Sequence, residues 1–222
     1  MRLTRKTAKR SRIAIIAFSN LSTDPRVRRH IVSLAKEYEI SAIGYDASGI
    51  PGVEDIVLAG IPQLSLFEKL SRAILSILGL HLINYRRRPD VRELHLILTQ
   101  NRFDVILAND IETLPVVTDV AGKARIIFDA HEYSPKEFTE NFKWRILHGR
   151  AKYWLCKRFL PRAVFFFQAE DGIRDLYETE FGICGEVIYN APALNADIRI
   201  LHPKNTIRII HHGAALRGRR LE

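Results

Sequence analysis

Residues 12–38 read RIAIIAFSNLSTDPRVRRHIVSLAKEY. Arg12 to Phe18 is a short apolar run rich in β-branched residues, the pattern of a buried strand. Asp24 and Pro25 then open a helix, with Asp as N-cap and Pro at the first helical position. Val27, Ile31, Leu34, Ala35 and Tyr38 recur at helical spacing and form its apolar face. Arg26, Arg28 and Arg29 read as the solvated face of the same helix.

The alternation repeats outward from this unit. Strands are expected at 40–45, 55–59, 104–108, 125–129, 164–167 and 186–189. Helical patterns fall within 64–84 and at 90–99, 112–121, 135–160 and 172–181. Strands that alternate with helices imply βαβ units and a parallel sheet, so the fold class is α/β, a Rossmann-like sheet flanked by helices. In such sheets ligands sit beyond the carboxyl ends of the strands. The loops of interest therefore begin at Ser19, Asn109, Ala130 and Gln168.

Composition bounds the partners. The 222 residues are 47% hydrophobic, ample for a core, and carry a net charge of +9. That balance favours phosphates, anionic lipid or nucleic acid without dictating a fold. The basic residues are scattered with no nucleic-acid-binding motif, so nucleic acid is not expected as a partner. Cys156 and Cys184 are too few for a disulfide framework and read as two buried thiols. Residues 1–11 read as a basic, solvated tail without the apolar core of a secretory signal. The uncharged run Ala73 to Tyr85 is too short to span a bilayer.

Several residues could carry chemistry. Asp129-Ala130-His131-Glu132 sits at a strand end, where a histidine could exchange hydrogen bonds with a hydroxyl and Glu132 or Asp129 could orient its ring. The plainer reading is a helix-capping cluster. Asn109-Asp110 ends the preceding strand, and Asp110 reads either as a cap of the next helix or as a hydroxyl ligand. Ser19 to Arg26 offers hydroxyls, an amide and free helix N–H groups to an anion. No GxGxxG follows the first strand, which argues against a dinucleotide dehydrogenase. No GxSxG, P-loop or zinc spacing is present, and no metal site is expected. Lys143, Arg150 and Lys157 line one side of a helix whose other side is Leu147, Ala151, Trp154, Leu155 and Phe159. That side, Arg86 to Arg88 and the N-terminal tail could meet an anionic membrane surface.

Four stretches, Ser22 to His30 (STDPRVRRH), Phe103 to Asp110 (FDVILAND), Phe128 to Glu132 (FDAHE) and Ile210 to Gly213 (IHHG), occur in an order that resembles retaining glycosyltransferases of family 4, with the GT-B fold. The resemblance covers about residues 12–222. It implies two Rossmann-like domains facing across a cleft, the first holding the acceptor and the second a nucleotide-sugar. It implies transfer of a sugar to a glycan or lipid-linked acceptor with retention, in a cytoplasmic protein that is peripheral on the inner face of the membrane. No cofactor or metal is implied, the nucleotide-sugar being a substrate. By resemblance His131 lies at the transfer site. Ser19, Asn20, Asp24, Asn109, Asp110 and Glu132 lie on the acceptor side, and Gly213, Arg217, Gly218 and Arg219 begin the donor side.

The expected organisation is a tail at 1–11, the acceptor-side domain at 12–190, a linker at 191–206, and the first strand and turn of a truncated donor-side domain at 207–222. Such a truncated chain is expected to be inactive alone. The alternative is a non-catalytic basic module that docks on anionic lipid or a protein. Two stretches depart from the family pattern. Relatives often carry glycines where this chain has Ser19-Asn-Leu-Ser22. At the strand end where relatives have a small polar step, this chain has Gln168-Ala-Glu-Asp-Gly-Ile-Arg-Asp175, the peptide that a common sequencing-adapter oligonucleotide would encode. A contaminated or chimeric reading frame is the expectation there, and no function is drawn from Glu170 or Asp171.

Overall fold

The structure, a computed structural model, describes residues 10–60, 63–138 and 140–191. It divides into two compact units, Met1–Tyr189 and Asn190–Glu222, and the strands of the described residues lie in the first. Expectations for 1–9 and 192–222, including Gly213, Arg217, Gly218 and Arg219, fall outside the described residues.

The elements run β1 (Arg12–Ile16), α1 (Pro25–Leu34), β2 (Glu39–Gly44), β3 (Glu54–Val57), α2 (Leu66–Ile77), α3 (His81–Arg86), α4 (Pro89–Gln100) and β4 (Val105–Asn109). They continue with α5 (Leu114–Val120), β5 (Arg125–Ala130), α6 (Phe142–Trp144), α7 (Arg150–Phe159), β6 (Phe165–Gln168), α8 (Asp171–Phe181) and β7 (Glu186–Val187). The seven strands form one sheet in the order β3-β2-β1-β4-β5-β6-β7, every pair parallel. This is the expected Rossmann-like α/β sheet. The order reverses between β1 and β4, which opens a crevice at the carboxyl edge there.

Period-two alternation explains why the central strand β1 is apolar after Arg12. Ile13, Ile15 and Ala17 face Val27 and Ile31 of α1 on one side of the sheet. Ala14 and Ile16 share the other side with Val91 and Leu94 of α4, Leu114 and Val117 of α5 and Leu155 and Phe159 of α7. A strand covered on both faces has no polar side to present. Each fully buried isoleucine contributes about 1.5–3 kcal/mol.

Gly44 and Gly79 are among the glycines that geometry requires. A Cβ at Gly44 would lie 2.6 Å from the Leu21 side chain, so β2 can pass under the first loop only without one. Gly79 has φ +72° and divides the expected helical segment 64–84 into α2 and α3.

The expected long helix at 135–160 is broken. A 3-10 turn at Ser134–Lys136 precedes α6, and a π turn at Arg145–Gly149 joins α6 to α7. The π turn shifts the helical phase, so Leu147 is only half-buried while Leu155 and Phe159 are in the core. The two thiols also differ from expectation: Cys156 is buried in the core, whereas Cys184 is exposed in the connection to β7.

Candidate functional site at the carboxyl edge of the sheet

β4 and β5 pair in register, with Asn109 opposite Asp129. The next residues of the two chains, Asp110 and then Ala130-His131, therefore leave the sheet side by side. His131 Nε2 lies 2.9 Å from Asp110 Oδ1. Asp110 adopts φ +66°, the one non-glycine residue with positive φ among those described. Aspartate tolerates this left-handed conformation better than most residues.

Asp110 does not cap the following helix. Thr113 occupies that position, and its Oγ1 donates to the carbonyls of Asn109 and Asp110. Nor is His131 oriented by Glu132 or Asp129. Asp110 holds the ring, Glu132 makes no ion pair or hydrogen bond with it, and Asp129 is turned into the sheet.

Asp129 is fully buried and receives both Nε and Nη2 of Arg26 from α1. Arg26 is 4% exposed, so the expected solvated arginine face holds for neither its position nor its role. His30, one turn further along α1, places Nε2 3.7 Å from the same carboxylate. Arg26 and His30 stand four residues apart and so share the inward face with Val27 and Ile31.

Burial disfavours charge on both histidines, but their neighbours differ. For His131 the hydrogen bond and charge of Asp110, with Asp129 beyond, outweigh burial and lift its pKa to about 9. For His30 burial outweighs the pull of Asp129, with Arg26 opposing charge too, and the pKa falls. Burial pushes the Asp129 carboxyl up against the opposing Arg26 guanidinium. Burial also raises Glu132, helped by the neighbouring Glu137 carboxylate. The raised pKa favours a cationic, largely buried His131 at neutral pH, whereas the surroundings of His30 disfavour its charged form.

The remaining acceptor-side candidates serve the scaffold. Asn109 is fully buried, and its Nδ2 donates to the Ile16 carbonyl at 3.0 Å, tying β4 to β1 at the crevice. Asp24 caps α1, its Oδ1 accepting from the N–H groups of Arg26 and Val27 at 3.1 Å each. Ser19 Oγ donates to Asp24 Oδ2 at 2.8 Å. The helix start expected to be free for an anion is therefore taken by its own carboxylate. Asn20 is exposed, and its carbonyl accepts from Thr23 and Asp24 N–H.

A second polar group adjoins the site. Lys152 of α7 pairs with Glu112 at 2.8 Å and with Glu137, bridging the loop after β4 to the segment after β5. Arg88 is withdrawn from any surface role, since its Nη2 lies 2.6 Å from buried Asp90, which Tyr45 also contacts. Lys152 carries no expectation from the sequence, and Arg26 enters there only as the end of the Ser19 to Arg26 loop and as part of a solvated face. The available signal was Arg26 and His30 at i, i+4 beside the apolar positions of α1.

Gln168 ends β6 at the same edge. It is fully buried, and neither amide atom has a hydrogen-bond partner in the protein. Buried amides are almost always paired, so this side chain does not suit its place. Among the described residues no group of three or more His, Cys, Asp or Glu side chains could hold a metal ion. No helix among them is long and apolar enough to cross a membrane.

No protein-family model and no curated protein matches the chain. Among solved structures it is similar to HepE of Anabaena in complex with UDP and glucose, at 15% identity and TM-score 0.48, over 82% of this chain and 44% of that one. It is similar to the lipopolysaccharide outer core galactosyltransferase WaaB, at 13% identity and TM-score 0.49, over 83% and 47%. It is also similar to Phytolacca americana UGT2 complexed with UDP-2fluoro-glucose and pterostilbene, at 11% identity and TM-score 0.49, over 86% and 56%. The chain spans about half the length of these structures.

Proposed function

We propose that this chain is the acceptor-side half of a glycosyltransferase with the GT-B fold. The observation that carries the reading is the His131–Asp110 pair, standing at the carboxyl edge of β4 and β5 beside the reversal of strand order. The motif resemblance to retaining enzymes of family 4 supports it.

In the whole protein, a hexosyltransferase, His131 hydrogen-bonds the transferred sugar as a cationic donor. Asp110 gives one oxygen to His131, and its carboxylate, 37% exposed, offers the other to an acceptor hydroxyl. Exposed Glu132 and Asn20 lie on the acceptor side. Arg26 and Asp129 hold the floor of the site and do not touch substrate. The donor is a nucleotide-sugar, received by a second domain beginning near Gly213, Arg217, Gly218 and Arg219. Basic groups and helix N-termini stabilise the leaving diphosphate, and no metal takes part. The acceptor is a glycan or lipid-linked, at the cytoplasmic face of a membrane.

On this reading the groups that bind the donor in the transition state belong mainly to a donor-side domain, and without that domain residues 1–222 should not turn over. Nucleoside diphosphate release is the assay, with purified chain and a panel of nucleotide-sugars. Turnover by this chain would overturn the division of labour. The second reading, a non-catalytic module docking on lipid, draws support from the outward face of α2, where Leu66, Phe67, Leu70, Ile74 and Ile77 are exposed. It is favoured over catalysis if the whole protein binds anionic vesicles but no nucleotide-sugar.

A further inference from the structure

Lys152 stands on the buried side of α7. Leu155, Cys156 and Phe159 follow it at helical spacing, and all three are in the core. A lysine on such a face is almost never buried without partners. Its side chain is 15% exposed, and its ammonium meets Glu112 at 2.8 Å and also Glu137, with the Trp144 ring 5.9 Å away. Burial works against the charge, but the two carboxylates outweigh it and raise the pKa. The ammonium therefore stays charged throughout the range in which a histidine titrates.

The places of the two carboxylates give these bonds a consequence. Glu112 follows Asp110 on the loop after β4, and Glu137 follows His131 on the segment after β5. Each of these stretches also has an anchor of its own. Tyr85 Oη donates to the Glu112 carbonyl at 2.6 Å, and Tyr177 Oη donates to the Glu132 carbonyl at 3.2 Å. Beyond the strand ends, and apart from the His131–Asp110 pair itself, Lys152 is the one side chain among the described residues that pairs with both stretches. Without its ammonium, Glu112 and Glu137 would face each other as like charges. We propose that Lys152 is a positioning residue that holds Asp110 against His131 by clamping the loop after β4 to the segment after β5. The charged and titratable groups around His131 are Asp110, Asp129, Arg26, His30 and Glu132, and those around Lys152 are Glu112, Glu137, Glu132 and His148. The inference rests on the reading above only for its place in sugar transfer. The clamp is read without any sugar, so either can fail while the other stands.

The test is the imidazole titration of His131 by nuclear magnetic resonance in residues 1–222. Removal of a nearby cation by itself raises a histidine pKa, whereas loss of contact with Asp110 lowers it, so the two roles differ in sign. Lys152→Met should move the His131 titration down from about 9, by about one pH unit or more, a tenfold or greater loss of proton affinity. Lys152→Arg, which keeps a cation with donors for both carboxylates, should titrate nearer the parent. Should Lys152→Met fail to fold, Lys152→Met/Glu112→Gln decides. It leaves the net charge unchanged and relieves the repulsion, yet still opens the clamp, and the same fall is expected. A rise or no change in folded Lys152→Met, no fall in the double variant, or an equal fall in Lys152→Arg would each overturn the proposal.

Discussion

His131 Nε2 and Asp110 Oδ1 meet at 2.9 Å across the ends of two neighbouring parallel strands. The pairing depends on the left-handed backbone of Asp110, which turns its carboxylate toward β5 instead of the helix that follows. Its consequence is a histidine that stays protonated at neutral pH, with a pKa of about 9. The imidazole resonances of His131 should titrate near that value. In Asp110→Asn, which keeps a side chain tolerant of left-handed φ but removes the charge, they should move down toward the ordinary range near 6.5. An unchanged titration would assign the shift to another group.

The same pair makes stability pH-dependent. The folded-state pKa of His131 is raised above its unfolded value, so its contribution is fully present below about pH 6.5 and is lost as pH rises through about 9. Because Asp110 is over a third exposed, solvent screening reduces the effect to about 1 kcal/mol or less. Urea midpoints between pH 6.5 and 9 should fall in the parent. In Asp110→Asn the fall should be shallower by that amount.

Arg26 and Asp129 form a bidentate pair with almost no exposure. Arg26→Ala leaves a buried carboxylate without its partner and should cost about 3–5 kcal/mol in denaturant unfolding. The double variant Arg26→Met/Asp129→Leu should be much less damaging, since it removes both charges. Arg26→Lys should not rescue, because an ammonium cannot make two parallel hydrogen bonds to the carboxylate. A mild effect of Arg26→Ala would mean that Asp129 is protonated in the folded protein.

Gln168 buries an amide with no partner on either atom. Gln168→Met keeps nearly the same shape without the polar atoms and should raise stability by about 1–3 kcal/mol. An unchanged midpoint would show the amide to be satisfied. The misfit coincides with the first residue of the adapter-like octapeptide Gln168–Asp175. Genomic sequence through these codons is expected to read differently there, and recovery of the same octapeptide would refute a foreign origin.

The architecture was legible because this sheet is covered on both faces. β1, β4 and β5 are continuous apolar runs, and the Asp24-Pro25 start of α1 is local chemistry. The strand ends that carry the site were legible for the same reason. The partnerships across them were not. Asp110 finds His131 only because Asn109 pairs in register with Asp129, a relationship between segments 20 residues apart. Arg26 finds Asp129 across a separation of 103 residues, and until they meet an arginine on an amphipathic helix looks like surface. The π turn before α7 also has no local signal beyond a glycine, Gly149, with Trp144 and Pro135 packed too close for an easy Cβ.

The proposal that this edge of the sheet is a sugar-transfer site is tested most directly with this chain joined to a donor-binding domain. The measurement is the rate of nucleoside diphosphate release with acceptor present, for the parent and for His131→Ala. The account predicts a loss of about 100-fold or more in kcat, of the order expected when one charge-stabilising donor is removed, with thermal unfolding below pH 6.5 lowered by no more than the His131–Asp110 contribution. Equal rates in a folded His131→Ala protein would contradict it.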